Sequence, residues 1–471
     1  MQAKIFFGST QATKENLSER KSPYDGKVVS TAPICDAQDT KKALNIALSA
    51  TKTAKASTLA QRCSWLLDVA QKLRENKEDI AQTMTDEVGK PITFSRIEVE
   101  RCIETVTLSA ETMRTMHGET INTDAMASGK KTLAYFTRVP VGVVACITPF
   151  NFPLNLVAHK LAPALVAGNT VVLKPTPEAP LTAYKFVKLF VESAFAVKDA
   201  VSLVYGDVEV GSTLVSSDIP RVISFTGSVP VGNIITKSAG IKKIGLELGG
   251  NAATYIDTSA DLELAATRCA LGAFVNSGQV CISLQRIYVN EKVYDSFAQK
   301  MAQETKKLVV GSPYEDATFM GPLIDDASAI RAMKWVELAI EEGATALLPP
   351  KRDGRMFHPC VMTDVRDDMA IVCEEVFAPI VSLVKVKDFD DALPRMNNSP
   401  YGLQFSVFTN DLKVTQRAIE ELDAGGIVIN DMPTLRFDIQ PYGGIKLSGV
   451  GREGPRFAIE EMTEIKSVVI C

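Results

Sequence analysis

The sequence predicts an α/β protein with two doubly wound units, and three observations carry that expectation. Short apolar runs at 141–147, 170–173, 201–204, 222–225 and 244–248 alternate with helical patterns. That rhythm belongs to a mostly parallel sheet covered on both faces. A second alternating region follows, with helices near 292–307, 325–342 and 415–422 and strands near 287–289, 379–386 and 427–430. The 471 residues exceed what one core usually holds. No repeat or low-complexity linker interrupts them, so closely packed domains are expected.

Composition narrows the function class. Hydrophobic residues at 46% and charged residues at 23% fit an ordinary globular chain. The net charge of −5, without a basic block, argues against nucleic acid as the main partner. Residues 1–10 lack a basic start followed by an apolar run, so no secretory signal is expected. The most apolar region, 154–173, is broken by His159, Lys160, Pro163, Gly168 and Asn169, which excludes it as a membrane span. Nine cysteines, odd in number and without a C-x-x-C pair, fit neither a disulfide framework nor a zinc site. A reducing cytoplasm is the expected compartment. The three histidines, His117, His159 and His358, stand alone, so neither a His-based metal site nor a Ser-His-Asp triad is expected.

Taken in order, the chain opens with a short strand and the turn Ser22-Pro23-Tyr24-Asp25-Gly26-Lys27. Three long helical patterns then run to about His117. Asp36 caps the first; the second carries Trp65, Leu66, Val69, Leu73 and Ile80 on one face and stops near Gly89-Lys90-Pro91. Residues 132–139 read as an exposed strand, either an oligomer contact or a simple hairpin arm. Residues 464–470 read as one more strand.

The stretch from Glu247 to Cys281 organises the rest. Leu246-Glu247-Leu248-Gly249-Gly250-Asn251 ends an apolar run in a carboxylate, and Asn276-Ser277-Gly278-Gln279-Val280-Cys281 ends a small-residue turn in a thiol. A helical pattern led by Asp261 and Glu263 lies between and can fold the thiol back toward the carboxylate. A nucleophile and a base that brings in water are what acyl transfer through a thioester needs.

Four motifs surround this pair. In Thr148-Pro149-Phe150-Asn151-Phe152-Pro153, the Asn151 amide can donate to an oxyanion or close an Asx turn. In Val171-Val172-Leu173-Lys174-Pro175, the lysine is a solvated strand end or a ribose and phosphate ligand. Phe225-Thr226-Gly227-Ser228-Val229-Pro230-Val231-Gly232 runs from a strand into a glycine-opened helix, as phosphate cradles do. Glu374-Glu375-Val376-Phe377-Ala378-Pro379 places acidic residues ahead of a strand.

Together, in this order and with Pro441-Tyr442-Gly443-Gly444 and the residues after it to 454, these segments resemble the NAD(P)-dependent aldehyde dehydrogenase superfamily. The resemblance implies a fold of two α/β domains plus a small β arm. An NAD(P)-binding domain would take 1–121 and 141–246, a catalytic domain 247–445, and the arm with the final strand 122–140 and 446–471. Cys281 would attack the aldehyde, Asn151 and the Cys281 N–H would hold the oxyanion, and Glu247 would activate water. Glu375 would bind the nicotinamide ribose with Phe377 beside it. Lys174 would hold the adenosine ribose, with Gly227, Ser228 and Gly232 at the pyrophosphate. Thr148, Pro149, Phe150, Thr176, Pro177, Glu178, Gly211, Phe225, Thr226 and Leu248 complete the expected NAD or NADP site.

One departure matters. Many NAD-preferring members carry a glutamate three residues after the lysine, where Pro177 stands here and Glu178 follows, which leaves NADP open. The segments look most like members acting on lactaldehyde, glyceraldehyde 3-phosphate or succinate semialdehyde. Arg436 is expected to grip the far end of a short substrate or, failing that, to pair with Asp438 or Asp431; Arg114 is a second substrate candidate. A homodimer or homotetramer through 122–139 and 467–470 is implied. The rival readings are a CoA-acylating member, which typically lacks the Glu247 carboxylate, and a non-catalytic protein on the same fold.

Overall fold

The computed structural model describes residues 1–471 and contains six β-sheets. The largest has eight strands. Its centre is parallel, built from Val201–Leu203, Thr170–Lys174, Val143–Ile147, Pro220–Thr226 and Lys243–Glu247 in that spatial order. Every residue of Val143–Ile147 and Thr170–Lys174 is buried, as expected for strands covered on both faces. The five predicted runs all fall on these strands. Both edges come from distant chain. Ile5–Phe7 pairs antiparallel with Val201–Leu203 on one side, and Gly449–Val450 pairs antiparallel with Leu246–Glu247 on the other.

The second sheet has seven strands and contains Leu284–Asn290, Ala252–Ile256 and Gln404–Phe408 side by side. Its apolar residues form clusters separate from the 66-residue core under the first sheet, which takes nothing from 252–445. A third, three-stranded sheet pairs Thr463–Ile470 with Leu133–Pro140, and the latter with Glu119–Asn122.

Four helices, not three, precede the first sheet's central strands: α1 Ala37–Ala56, α2 Leu59–Glu75, α3 Lys77–Val88 and α4 Ile92–Thr115. Asp36 caps α1 through the N–H groups of Gln38 and Asp39. The predicted continuous face from Trp65 to Ile80 breaks at Asn76, whose side-chain amide donates to the Lys72 carbonyl at 2.8 Å. The side chain thus caps the end of α2, and the next residue begins α3. Trp65 anchors α2 by donating its indole N–H to the Phe190 carbonyl at 2.8 Å. Four strands of the second sheet escaped the sequence reading. Ala252–Ile256, Gln404–Phe408 and Cys360–Thr363 are wholly buried, so no alternation marks them, and Thr345–Leu348 is a short edge strand.

After Val143–Ile147 comes α5 (Asn155–Val166), buried along its whole length. The strand Thr170–Lys174 leads to α6 (Pro180–Val191), then α7 (Val208–Ser216), α8 (Val229–Ser238) and α9 (Leu262–Phe274) follow. Helix α9 connects the second sheet's strand Ala252–Ile256 to the turn that carries Cys281.

Gly449 shows how tightly the edge strand is fitted. Its φ is +153°, and a Cβ there would collide with the Leu246 carbonyl. Gly449→Ala should therefore cost about 1–3 kcal/mol in backbone strain alone. A lowered thermal midpoint, together with reduced activity because the collision lies beside Glu247, is the expected result.

Candidate active site

Helix α9 ends at Phe274, and the chain then turns through three successive left-handed residues: Asn276 (φ 51°), Ser277 (φ 57°) and Gly278 (φ 70°). Two of them carry side chains, so the turn is strained and must be held from outside. Ser277 Oγ donates to the Gly321 carbonyl at 2.8 Å, and the Gln279 side chain accepts from the Ile324 N–H at 2.9 Å. A Cβ on Gly278 would strike the Ala378 carbonyl, so the turn lies directly on the segment after Glu375. Asn151 Nδ2 donates to the Gln279 carbonyl at 3.0 Å. The thiol turn and the Asn151 loop are thereby locked together.

These pieces line a cavity of about 590 Å³. Cys281, Glu247, Asn151, Glu375, Phe377 and Arg436 all contribute to its wall. Thiol, carboxylate and amide, far apart in sequence, share one space.

Electrostatics divide the roles. Burial, then the neighbouring Glu453, push the Glu247 carboxyl well above the usual range, against the pull of Arg436, Lys160 and Arg452. Its Oε2 has no hydrogen-bond partner. Burial also acts on Glu453, but Lys160, His159 and Arg436 outweigh it and bring that carboxyl to about 2. Lys160 Nζ donates to Glu453 Oε1 and Arg436 Nη2 to Oε2, both at 3.1 Å. Burial pushes the Cys281 thiol up to about 12, with a hydrogen bond from Tyr442 opposing it.

The expected cofactor residues sit at the carboxyl ends of adjacent parallel strands, where nucleotides bind in such sheets. Thr148 follows Val143–Ile147, Lys174 ends its neighbour Thr170–Lys174, and Phe225-Thr226 ends Pro220–Thr226 on the other side. The hydroxyls of Thr148 and Thr226 are buried without partners, and a bound polar ligand would satisfy them. Pro149, Phe150, Thr226, Gly227, Ser228 and Leu248 line the cavity. A Cβ on Gly232 would come within 2.8 Å of Leu248, so α8 approaches closely, with Ser228 at its N-cap. Glu375 Oε1 accepts from the Gly250 N–H at 3.0 Å, and burial lifts this carboxyl to about 7. Phe377 meets Phe150 edge to face at 6.0 Å. Gly211, on α7, packs near the Lys174 stem. Thr176 donates to Glu178, while Pro177 is exposed. These residues fit a dinucleotide.

The family description "Aldehyde dehydrogenase family" matches residues 10–468. The chain belongs to the aldehyde dehydrogenase family. It is 43% identical to 3-sulfolactaldehyde dehydrogenase of Priestia megaterium over 92% of this chain and 91% of that one. It is 39% identical to a lactaldehyde dehydrogenase of Methanococcus vannielii, covering 95% of this chain and 96% of the other. An NADP-dependent glyceraldehyde-3-phosphate dehydrogenase from Bacillus halodurans, solved with NADP, superposes with a TM-score of 0.97 at 33% identity. That match covers 100% of this chain and 99% of the other. The enzyme is an NAD(P)-dependent aldehyde dehydrogenase.

Two expectations about arginines need revision. Arg114 is exposed near the C-terminal end of α4 and does not line the cavity. It lies about 20 Å along the helix axis from Arg101, which does. Arg436 does reach the wall, yet Asp431 is not its partner, for that carboxylate binds Arg268. Arg436 lies 3.7 Å from Asp438 and 3.1 Å from Glu453. Its loop is pinned by Gln404, whose amide donates to the Leu435 carbonyl at 2.7 Å.

Sequence reasoning missed several participants. Glu453 and Tyr442 sat within a quoted motif without a role. His159 lies four residues after Asn155 on α5, and that helical spacing was the available signal; Lys160, on a wholly buried helix, was marked only by its charge in an apolar run. His159 Nε2 lies 3.0 Å from Asp438, which also takes two hydrogen bonds from Arg101. Glu98 accepts from the N–H groups of Leu154 and Asn155 and pairs with buried Lys90, fixing the start of α5 just beyond Asn151.

Replacing Glu453 by Gln removes the like charge that raises Glu247. The carboxyl of Glu247 should then ionise at lower pH. Single-turnover thioester hydrolysis followed against pH should move its rising limb to lower pH.

Proposed function

We propose that this enzyme oxidises a short aldehyde bearing an anionic group at its far end to the carboxylic acid, through a Cys281 thioester. The observation that carries the anionic preference is Arg436. Its side chain is only 8% exposed and lines the cavity wall, and its Nε, which makes no hydrogen bond, lies 3.7 Å from Asp438. A guanidinium at the wall of the cavity suits a carboxylate, phosphate or sulfonate group. Arg101, part-exposed at the same wall, adds positive charge. The relative acting on 3-sulfolactaldehyde fits this preference.

The steps follow from the side chains. Cys281 as thiolate attacks the carbonyl carbon, and the carbonyl π pair moves to oxygen. Asn151 spends one amide hydrogen on Gln279, so the other is free to donate to that oxygen. Bound NAD(P) would supply the hydride acceptor, and Glu375 would hold its ribose hydroxyls. Glu247, once ionised, takes a proton from water, which attacks the thioester and frees the thiol and the acid. The presence of Glu247 favours hydrolysis over transfer to CoA.

The first sheet is read as the NAD(P)-binding unit, the second as the support for the thiol, and the three-stranded sheet as the subunit arm. Ile465, Val469 and Ile470 are exposed on that arm, which supports a homo-oligomer. All nine cysteines are free thiols, in keeping with the cytoplasm. No helix is long and apolar enough to cross a membrane.

A neutral hydroxyaldehyde is the second reading. It is favoured by the ion pair of Arg436 with Glu453, which already spends part of the charge, and by the lactaldehyde-oxidising relative.

Cys281→Ala should abolish aldehyde oxidation while cofactor binding, followed by fluorescence quenching, persists. Glu247→Gln should give a burst of NAD(P)H and then a slow steady state. An equal loss of burst and steady state would place Glu247 before hydride transfer.

Arg436→Ala should lower kcat/KM at least about tenfold on an anionic aldehyde and far less on a neutral one of similar length. Equal losses on both would assign Arg436 to the support of the site rather than to the substrate's far end, and leave the neutral hydroxyaldehyde as the better reading.

A further inference from the structure

The Cys281 thiol has no cationic partner within hydrogen-bond distance. The only polar side-chain atom that close to Sγ is the Tyr442 hydroxyl, at 3.0 Å. That contact is the sole hydrogen bond of the Tyr442 Oη. The phenol is otherwise buried, 6% exposed. Its backbone is clamped on both sides: Tyr442 N–H donates to the Glu453 carbonyl at 3.0 Å, and Glu453 N–H returns the bond at 2.6 Å. On the ring face lies Arg436, with Cζ 3.7 Å from the centroid. A cation there draws electron density from the ring and makes the O–H a stronger donor.

Resting on Cys281 as the nucleophile, we propose that Tyr442 is a catalytic residue whose hydroxyl donates a hydrogen bond to the Cys281 thiolate, strengthened by Arg436 on its ring. The thiol proton leaves to water in the cavity, and Tyr442 keeps its own proton throughout. As the S–C bond forms, the sulfur loses its charge and the hydrogen bond weakens. Other groups facing the thiol cannot substitute. Glu247, from the first sheet, and Glu375, from the loop before Ile380–Val386, oppose the thiolate, as carboxylates must. His159 is engaged with Asp438 and Arg436. Arg436 pulls the thiol down, and Tyr442 stands between its charge and the sulfur.

Stabilising a thiolate raises its population but blunts each anion. For a thiol pKa lowered by one unit, the thiolate fraction rises about tenfold and its reactivity falls about threefold. The net gain below the pKa is about threefold, and it reverses above the pKa. Neither sign pattern comes from packing alone.

The test is iodoacetamide alkylation of the full-length enzyme across a pH series, with and without saturating NADP⁺, read by mass spectrometry of the Cys281 peptide. In this reaction an S–C bond forms and iodide leaves. Tyr442→Phe keeps the ring and should raise the apparent thiol pKa by about one unit, slowing alkylation about threefold below it. Site-specific 3-fluorotyrosine at 442, with a more acidic phenol and nearly the same shape, should shift the pKa the opposite way. Should Tyr442→Phe fail to fold, the fluorotyrosine protein carries the test alone. Unshifted inflections in the folded variants would overturn the proposal and leave Tyr442 as packing. Aldehyde oxidation surviving in Cys281→Ala would instead overturn the nucleophile assignment, whatever the alkylation profiles show.

Discussion

The site depends on one buried carboxylate, Glu453. Lys160 and Arg436 each donate to it, and it offsets much of the cost of burying both cations in a low-dielectric interior. The same carboxylate fixes the neighbouring groups. Arg436 is held over the Tyr442 ring, Tyr442 is held against the thiol, and Glu247 is kept from ionising early. Cys281, Tyr442 and Glu247 are therefore all set by this one residue.

The strained turn before Cys281 shows the same economy on the backbone side. Asn276 and Ser277 sit in the left-handed region, and their side chains are used to secure the turn. Because Asn151 binds that turn through Gln279, Asn151 and Cys281 are tied into one unit. The segment after Glu375 closes the third side, where only Gly278 leaves room for Ala378.

Much of this was legible in the sequence, for local reasons. The central strands of the first sheet are short apolar runs, and Cys281, Glu247 and Asn151 end recognisable segments at strand or turn boundaries. The break at Asn76 was not legible, because the apolar face of α2 and α3 continues across it and only a side-chain cap interrupts the helix. The strands Ala252–Ile256 and Gln404–Phe408 were hidden by burial on both faces. Arg114 misled because helix phase and length decide which arginine reaches a cavity, and one residue type in an amphipathic stretch does not. The ion cluster was invisible for another reason: Lys160, Arg436, Asp438 and Glu453 meet only after α5 packs against a loop nearly 300 residues away.

That distance bears on how the enzyme is born. The strand Lys243–Glu247 acquires its edge partner only from Gly449–Val450, and Tyr442 and Glu453 arrive in the same late stretch. Pairings so remote in sequence form slowly and after the local ones. During synthesis, a nascent chain can therefore assemble most of its first sheet with Glu247 at an open edge and Cys281 without its tyrosine. Reactive thiol chemistry is deferred until the chain is nearly finished, and the exposed sheet edge is the point where chaperones or misassembly would compete for it.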